Sequence, residues 1–344
     1  MPIKTIHQLI HLRSNANKKV MQNVARLWDL SRHAQSTQDI LDGLHPWGKH
    51  NSLEFHNRFS YVFIMIGMLS LVLGWLMSHY FPIAFTLLIS LAWFFIAYIS
   101  YESDDPIEEV IQALELKMKM LKDDLQFQKL PAHLTGVMNS NLVLGKLKQN
   151  FPLFNQGSES NDIERFASTT WIDQNQQSHP ILLFKYHYVS YLSLSNADGE
   201  EQKLKKIEND LWGAFVFKTK SLGIAASNKR DRFFHPYTQD WHSSDIQLNQ
   251  KLNIFGYDQH QLARSISPAL TLKLNDLFEG LKGDLVIHFQ ENILCYMVEQ
   301  DLFRTMSKKS PQDIRNISEL RGYLRTLDMP DYQQFKQRML NFIE

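Results

Sequence analysis

Residues 59–101 contain no Lys, Arg, Asp or Glu, and this run constrains the fold of the chain more than any other feature. A helix that spans a bilayer needs about 20 mostly apolar residues, so the run is long enough for two spans. Pro82 lies near its middle and disfavours helix at the residue before it, which favours a turn there. The run therefore predicts two transmembrane helices, at residues 59–77 and 82–101, joined by a very short loop.

Two other interpretations fit this run less well. A buried hairpin in a soluble protein rarely combines two consecutive segments of this length and apolar content. A secretory signal peptide would begin the chain, whereas the polar residues 1–58 precede the run. We therefore expect a membrane hairpin.

Basic residues near the ends of the run predict its orientation. Lys49 and Arg58 precede the first span, Lys117 and Lys119 follow the second, and the loop between them has no basic residue. Because Lys and Arg are enriched on the cytoplasmic side, both termini are expected in the cytoplasm and the loop outside.

Small residues recur at every fourth position of the first span and its end, at Ser70, Gly74 and Ser78. Such a row lets another helix approach closely, either the second span of the same chain or a second copy in a homo-oligomer. Apart from His79 in the loop, the spans carry no ionisable side chain, so no path for ions or protons is predicted. The hairpin is expected to be an anchor.

The chain around the hairpin changes from helical to extended patterns. Ile107, Ile111 and Leu114 begin a seam with spacings of four and three, which fits packing on the protein's own N-terminal helices or a short dimer stalk. Aromatic and β-branched runs after residue 160 predict strands, and residues 259–282 predict one main helix whose second part begins at Ser267.

In the C-terminal tail, four apolar residues lie on one side of a predicted helix, where they suit docking on the body of the protein or on a partner: Tyr332, Phe335, Met339 and Phe342.

The predicted fold class is α+β, with a two-helix transmembrane hairpin, flanking helices and a C-terminal, largely antiparallel β-sheet domain with one main helix. The predicted parts are an N-terminal helical cytoplasmic segment at 1–57, the membrane hairpin at 58–101, a helical stalk at 102–150, a cytoplasmic α+β domain at 151–303 and a helical tail at 304–344.

Composition and motifs limit the functions that the chain is expected to have. The 36 Lys and Arg residues are balanced by 36 Asp and Glu, so no overall positive charge favours nucleic acid. One cysteine rules out an internal disulfide framework. Zinc-ligand spacings and glycine-rich phosphate loops are absent from the sequence, and we predict no cofactor and no metal.

The stretch DLVIHFQENILCYMV, residues 284–298, carries the one candidate for catalysis by a thiol. With a two-residue loop, His288 lies across from Cys295; with a three-residue loop, Cys295 lies across from Ile287. A nucleophilic cysteine needs a lowered pKa and an orienting third group, which the middle of two paired strands does not supply. We prefer two neighbours in a sheet over a catalytic pair.

The long loop at residues 228–242 is a second candidate. It contains His235 and His242, which could contribute to a site or lie exposed on the surface. Lys229, Arg230 and Arg232 form a basic cluster that could contact lipid headgroups or solvent.

The blocks WGAFVFKTK, NIFGYDQHQLARSISPAL and LFEGLKGDLVIHFQENILCYMVEQDLF resemble a bacterial family known as domain of unknown function 3137. Asp258, Arg264 and Pro268 match positions of its Asp, Ala-Arg and Ser/Thr-Pro pattern, and Asp301 begins a similar closing Asp-Leu-Phe. The sequence departs from the family at Thr219, where members carry glycine after Phe-Lys.

This resemblance covers roughly residues 60–303 and implies an architecture without an assigned activity. It implies a multi-pass protein of the bacterial inner membrane whose two spans precede a domain of strands, with a LemA-like membrane protein as a partner. Our leading hypothesis is a cytoplasmic binding or scaffolding module tethered to that membrane. The alternatives are a membrane-anchored enzyme that uses His288 and Cys295 or the 228–242 loop, and a channel or transporter subunit that oligomerises through the small-residue row.

Overall fold

The computed structural model describes residues 14–77, 79–80, 82–134, 139–194, 203–229, 234–243, 245–308 and 310–344, with backbone only at 192–194 and 203–204. The helices are α1 (Asn15–His33), α2 (Thr37–Gly43), α3 (Arg58–Leu76), α4 (Ile83–Ser100), α5 (Asp105–Asp123), α6 (Ser140–Asn150), α7 (Ile246–Lys251), α8 (Gln259–Ser265), α9 (Pro268–Gly280), α10 (Ile317–Arg325) and α11 (Pro330–Ile343). Single turns of 3₁₀ helix occupy Ala132–Leu134, Pro152–Phe154 and Pro311–Asp313. The strands are β1 (Gln126–Phe127), β2 (Ser160–Ile172), β3 (Ser178–Leu194), β4 (Lys203–Phe217), β5 (Ile224–Ser227), β6 (Gln239–Trp241), β7 (Asn253–Gly256), β8 (Gly283–Ile287) and β9 (Ile293–Val298).

The chain divides into two compact units. Unit 1 contains the described residues up to Leu121 together with Ser307–Leu327, and unit 2 contains Lys122–Met306 together with Asp328–Glu344. This division differs from the predicted parts, because β1 and α6, expected in a helical stalk at 102–150, belong to unit 2. The predicted tail at 304–344 also divides between the units. Helical spacing is a local signal and does not reveal which core a helix joins.

The core of unit 1 brings together helices from distant parts of the sequence. Leu27 of α1, Leu114 of α5 and Leu320 of α10 are each 0% exposed within one apolar cluster. The seam that begins at Ile107 and Ile111 packs on the protein's own N-terminal helices in this cluster. Of the two alternatives for the seam, packing within the chain is therefore confirmed.

Helices α3 and α4 pack side by side in unit 1 through small residues. The Ser90 hydroxyl donates a hydrogen bond of 2.7 Å to the Gly67 carbonyl oxygen. A Cβ atom at Gly74 would lie 2.4 Å from the Thr86 Cβ, so Gly74 permits this approach. Gly74 thus packs within its own hairpin. Ser70 donates to the Ile66 carbonyl oxygen of its own helix, and Ser78 lies outside the described residues.

The other sides of α3 and α4 are exposed. Both helices are long and apolar enough to cross a membrane, and 17% of the apolar window in each is buried. Large side chains project outward on both, including Met65 (67% exposed), Trp75 (75%), Leu88 (67%) and Leu91 (67%). The helices lie within one residue of the bounds predicted from the sequence.

Unit 2 is built on an antiparallel sheet. Among the described residues it has nine strands in the order β1-β2-β3-β4-β9-β8-β5-β7-β6, and every neighbouring pair is antiparallel. The predicted α+β class with a largely antiparallel sheet is confirmed.

Both faces of this sheet are buried because alternate side chains point to opposite sides. On one face, Leu183 and Val216 pack against α9 and α11. On the other, Phe184 and Phe215 pack against α6 and the turn after it. The predicted helix at 259–282 is present as α8 and α9, but α11 is a second large helix on the same face. The four tail residues predicted to dock are buried there, on the body of the protein.

Candidate functional site

The hairpin of β8 and β9 places Cys295 in the middle of the sheet. Its partners across the two neighbouring strands are Val286 and Phe215, and the residue is 0% exposed. Burial raises the pKa of its thiol well above the usual value, which suppresses the reactive thiolate. The loop that joins the strands is longer than either length considered from the sequence, so Cys295 lies across from Val286 rather than from His288 or Ile287.

His288 forms hydrogen bonds within the loop of this hairpin. Its backbone N–H donates to the Ile293 carbonyl oxygen at 3.0 Å, and its Nδ1 accepts from the N–H groups of Gln290 and Glu291 at 3.1 and 2.8 Å. Burial lowers the pKa of its imidazole, which keeps Nδ1 available as an acceptor. The Phe151 and Phe289 rings pack on the imidazole. His288 therefore stabilises the turn.

The native thiol is expected to resist alkylation. At pH 8, iodoacetamide should modify Cys295 on the order of a hundredfold more slowly in the folded protein than in urea, because only opened molecules expose it. Mass spectrometry of the alkylated fraction measures this ratio. Rapid stoichiometric alkylation under native conditions would contradict the buried position.

Replacement of Cys295 by Ser should lower the free energy of unfolding by about 1–3 kcal/mol, because the hydroxyl is buried among apolar groups.

The loop at residues 228–242 is mainly structural where it is described. Phe234 and Tyr237 are buried on the same face of the sheet as Cys295. His235 and His242 are exposed. Lys229 pairs with Glu299 at 2.5 Å, whereas Arg230 and Arg232 of the predicted basic cluster lie outside the described residues. The described part of the loop brings no catalytic group to the hairpin.

Beyond the core, β2, β3 and β4 carry a cluster of charged groups. Ligand atoms of Glu164, His187 and Asp210 all lie within 4.8 Å of one another. The Lys185 ammonium already lies between the carboxylates, 2.8 Å from Glu164 Oε2 and 3.0 Å from Asp210 Oδ2. Burial would lower the pKa of Lys185, but these hydrogen bonds outweigh burial and raise it. The cluster is a network of ion pairs centred on Lys185.

A cleft of about 680 Å³ lies between α6 and the adjoining ends of β4 and β9. We call it the α6 cleft. Its apolar lining belongs to the same core layer as Cys295, and consists of Leu134, Val143, Leu147, Phe217 and Ile293. Clefts of roughly 300–1,000 Å³ with a mainly apolar lining are the usual form of small-molecule sites.

Local sequence explains why α6 covers this part of the sheet. The Asn139 side chain caps the helix by accepting from the Asn141 N–H at 3.2 Å. Leu144 and Leu147 then bury one side of α6, and the turn that begins at Phe151 continues the contact. On the sheet, Phe217 and Ile293 are register partners on neighbouring strands, which places their side chains together in the cleft.

Charged groups surround the mouth of the cleft. Lys146 and Lys218 are exposed, and in the described part of the chain no carboxylate forms an ion pair with either. Glu291 accepts a hydrogen bond of 3.0 Å from the Asn150 side chain. His133 packs edge-on against Phe217 with ring centroids 4.7 Å apart, and its pKa is lowered by burial and by the charge of Lys218. At neutral pH the mouth therefore carries two lysines against one glutamate.

Lys218 also borders a second, polar cavity of about 990 Å³, which His133 and Lys129 line as well. Its φ of 61° lies in the left-handed region that favours glycine. Asp124 and Gln128, in the lining of the polar cavity, have positive φ values of 50° and 56°. Such backbone conformations occur at functional sites and also in ordinary turns, as at Gln176 between β2 and β3. The α6 cleft with its charged mouth is the best candidate binding site among the described residues.

Sequence reasoning missed this cleft. It assigned Val143 and Lys146 to a helical stalk, and it noted Lys218 only because threonine follows it where the resembling family has glycine. The apolar spacing of Val143, Leu144 and Leu147 was the available signal, but spacing alone does not show that α6 leaves part of the sheet uncovered.

Comparisons of this chain with known protein families, with curated proteins and with solved structures find no match. The resemblance to domain of unknown function 3137 therefore stays a prediction.

Proposed function

We propose that this chain is a multi-pass protein of the bacterial inner membrane, with both termini in the cytoplasm, whose α+β unit is a binding or scaffolding module. The exposed apolar surface of α3 and α4 carries the proposal. Soluble monomers rarely expose a continuous apolar patch larger than a few hundred Å², yet Trp75, Leu88 and Leu91 are each at least two-thirds exposed. A bilayer would cover this surface at no cost in desolvated charge.

The packing between α3 and α4 supports an anchor. Gly74, from the small-residue row, faces Thr86 of the same chain, and Ser90 bonds to the backbone of Gly67. These contacts give the Ser90 hydroxyl a partner and place Gly74 against the neighbouring helix, as expected of a pair of membrane helices. A homo-oligomer or a complex with a LemA-like membrane protein would use surfaces other than the contact between Gly74 and Thr86. The LemA-like partner stays a prediction from the family resemblance.

The structure favours a binding module over an enzyme as the role of unit 2. Cys295 is buried with a raised pKa, and His288 accepts hydrogen bonds from its own loop. The α6 cleft instead combines an apolar lining with charged groups at its mouth, which suits recognition.

Cysteine accessibility tests this topology, because the native Cys295 is buried and leaves the background unlabelled. Cysteine is introduced in place of Tyr80, which is 81% exposed between α3 and α4, or of the exposed Lys282 in unit 2. In intact spheroplasts, a membrane-impermeant maleimide should label Tyr80→Cys. It should label Lys282→Cys only after the spheroplasts are permeabilised.

The unmodified chain is the control and should stay unlabelled in both conditions. Labelling of Lys282→Cys in intact spheroplasts would place unit 2 outside the cell. Failure to label Tyr80→Cys before permeabilisation would contradict a hairpin that crosses the membrane.

A further inference from the structure

We propose that the α6 cleft binds an amphipathic anion with a single alkyl chain, whose chain lies on Phe217 and Leu147 and whose anionic group lies at Lys218 and Lys146. The proposal deepens the proposed function, on which it rests, by naming the ligand class of the binding module. A fatty acid and a single-chain phospholipid share this chemistry.

The shape of the cleft favours an alkyl chain. Its lining comes from three elements that pack at one place: Leu147 of α6, Phe217 of β4 and Ile293 of β9. Leu147 and Phe217 are 5% and 4% exposed, so the base of the cleft is continuous with the core. Apolar ligand surface that enters this cleft leaves water, which is favourable in proportion to its area.

The charges at the mouth favour an anionic head. Lys146 and Lys218 approach from α6 and from the end of β4, on two different elements. Glu291, the one carboxylate that lines the cleft, accepts a hydrogen bond of 3.0 Å from the Asn150 side chain, which orients that carboxylate. Titratable groups that face Lys218 are therefore His133, Lys146 and Glu291 in the cleft, with Lys129 and Asp124 in the adjoining polar cavity. With Lys218 counted, the cleft holds two lysines against one glutamate, and the polar cavity holds two lysines against one aspartate.

The backbone of Lys218 provides an independent observation. Its φ of 61° is unfavourable for a residue with a Cβ atom. The conformation holds the lysine between the apolar cleft and the polar cavity, at the boundary where an amphipathic molecule changes from chain to head. Local strain that positions one charged group is expected at a ligand site.

Photolabelling of the full chain in phosphatidylcholine vesicles tests the proposal. Three probes carry the same diazirine at the end of a dodecyl chain, and their heads are a carboxylate, a phosphate and a neutral alcohol. At pH 8, where carboxyl groups are ionised and lysines charged, the two anionic probes should label peptides containing Val143 or Phe217 about three- to tenfold more than the alcohol does. The carboxylate and phosphate arms distinguish a fatty acid from a single-chain phospholipid.

Substitutions locate the head and the chain separately. Lys218→Gly relieves the strain while it removes the charge, and Lys146→Ala removes the other lysine; each should lower cleft labelling by about three- to tenfold. Lys282→Ala removes an exposed lysine elsewhere in unit 2 and should have no effect. Val143→Trp should fill the cleft and abolish labelling, whereas Leu142→Trp, at a neighbouring position that is 63% exposed, should not. Protection of Cys295 from alkylation shows that each variant is folded.

Labelling of α3 and α4 by all three probes reports the membrane anchor separately. Loss of that labelling would contradict the anchor, whatever happens in the cleft. Equal cleft labelling by the alcohol and the anions, or unchanged labelling in Val143→Trp, would overturn the proposed ligand. A cleft that takes none of the probes but crosslinks to an acidic protein segment in native membranes would overturn it too.

Discussion

Replacement of Leu69 in α3 and Leu91 in α4 by arginine is expected to remove the protein from the membrane fraction. An arginine near the centre of a spanning helix costs about 2.5–3.5 kcal/mol on insertion scales, so the double substitution should lower the equilibrium constant for insertion at least about a thousandfold. Both leucines are exposed, at 57% and 67%, so neither change removes a core contact. Cell-free synthesis with liposomes, followed by flotation and a carbonate wash, measures the inserted fraction.

The control is Leu116→Arg, at a position in α5 that is 43% exposed and lies outside the charge-free run. It should insert like the unmodified protein. If α3 and α4 instead faced water, the two arginines would improve solubility without changing flotation. An unchanged membrane fraction for the double variant would therefore contradict the proposal that α3 and α4 anchor the protein in the membrane.

Replacement of Phe335 in α11 by alanine should be the most destabilising single truncation in unit 2 that we consider. Phe335 is 0% exposed, and its ring lies 6.2 Å from that of Trp171 and 5.9 Å from that of Tyr296. Truncation of a buried phenylalanine lowers the free energy of unfolding by about 3–5 kcal/mol, because transferred area is lost and a cavity remains. With a urea slope of about 1–3 kcal/mol per molar, the midpoint should fall by roughly 1–5 M.

Alkylation of Cys295 at increasing urea concentrations reports the unfolding of unit 2, because that thiol is buried in its sheet. Gln337→Ala, at an exposed position of the same helix, is the matched control and should leave the midpoint nearly unchanged. Equal midpoints for Phe335→Ala and Gln337→Ala would show that α11 is not part of the core of unit 2.

The helices and strands were largely predictable because their patterns are local. Pro82 and the charge-free run located α3 and α4, and Ser267 with Pro268 located the start of α9, where the serine caps the helix. Aromatic and β-branched runs located parts of the long strands, and the order of strands, one helix and two further strands favoured an α+β domain with a largely antiparallel sheet.

The hairpin register shows where local reasoning stops. Leu285 and Ile287 lie on one face with Leu294 and Tyr296, as they also would with a two-residue loop. The pairing itself differs by two residues from the two-residue-loop alternative, because His288 and the residues after it form a longer turn than that alternative allowed. A shift of two preserves the face of every side chain, so the apolar pattern cannot detect it. The pairing of His288 with Cys295 depended on the two-residue loop, which the apolar pattern cannot distinguish from the longer turn.

The sequence by itself determined the two apolar helices, the class of the fold and the buried side of α11, because each follows from the spacing of apolar residues along one segment. Only the tertiary structure decided which core each helix joins, that Gly74 packs against Thr86, and that α6 leaves a cleft beside Phe217 and Lys218. Those features depend on contacts between residues that are far apart in the chain. The spacing of apolar residues along one segment does not show which other segment it packs against.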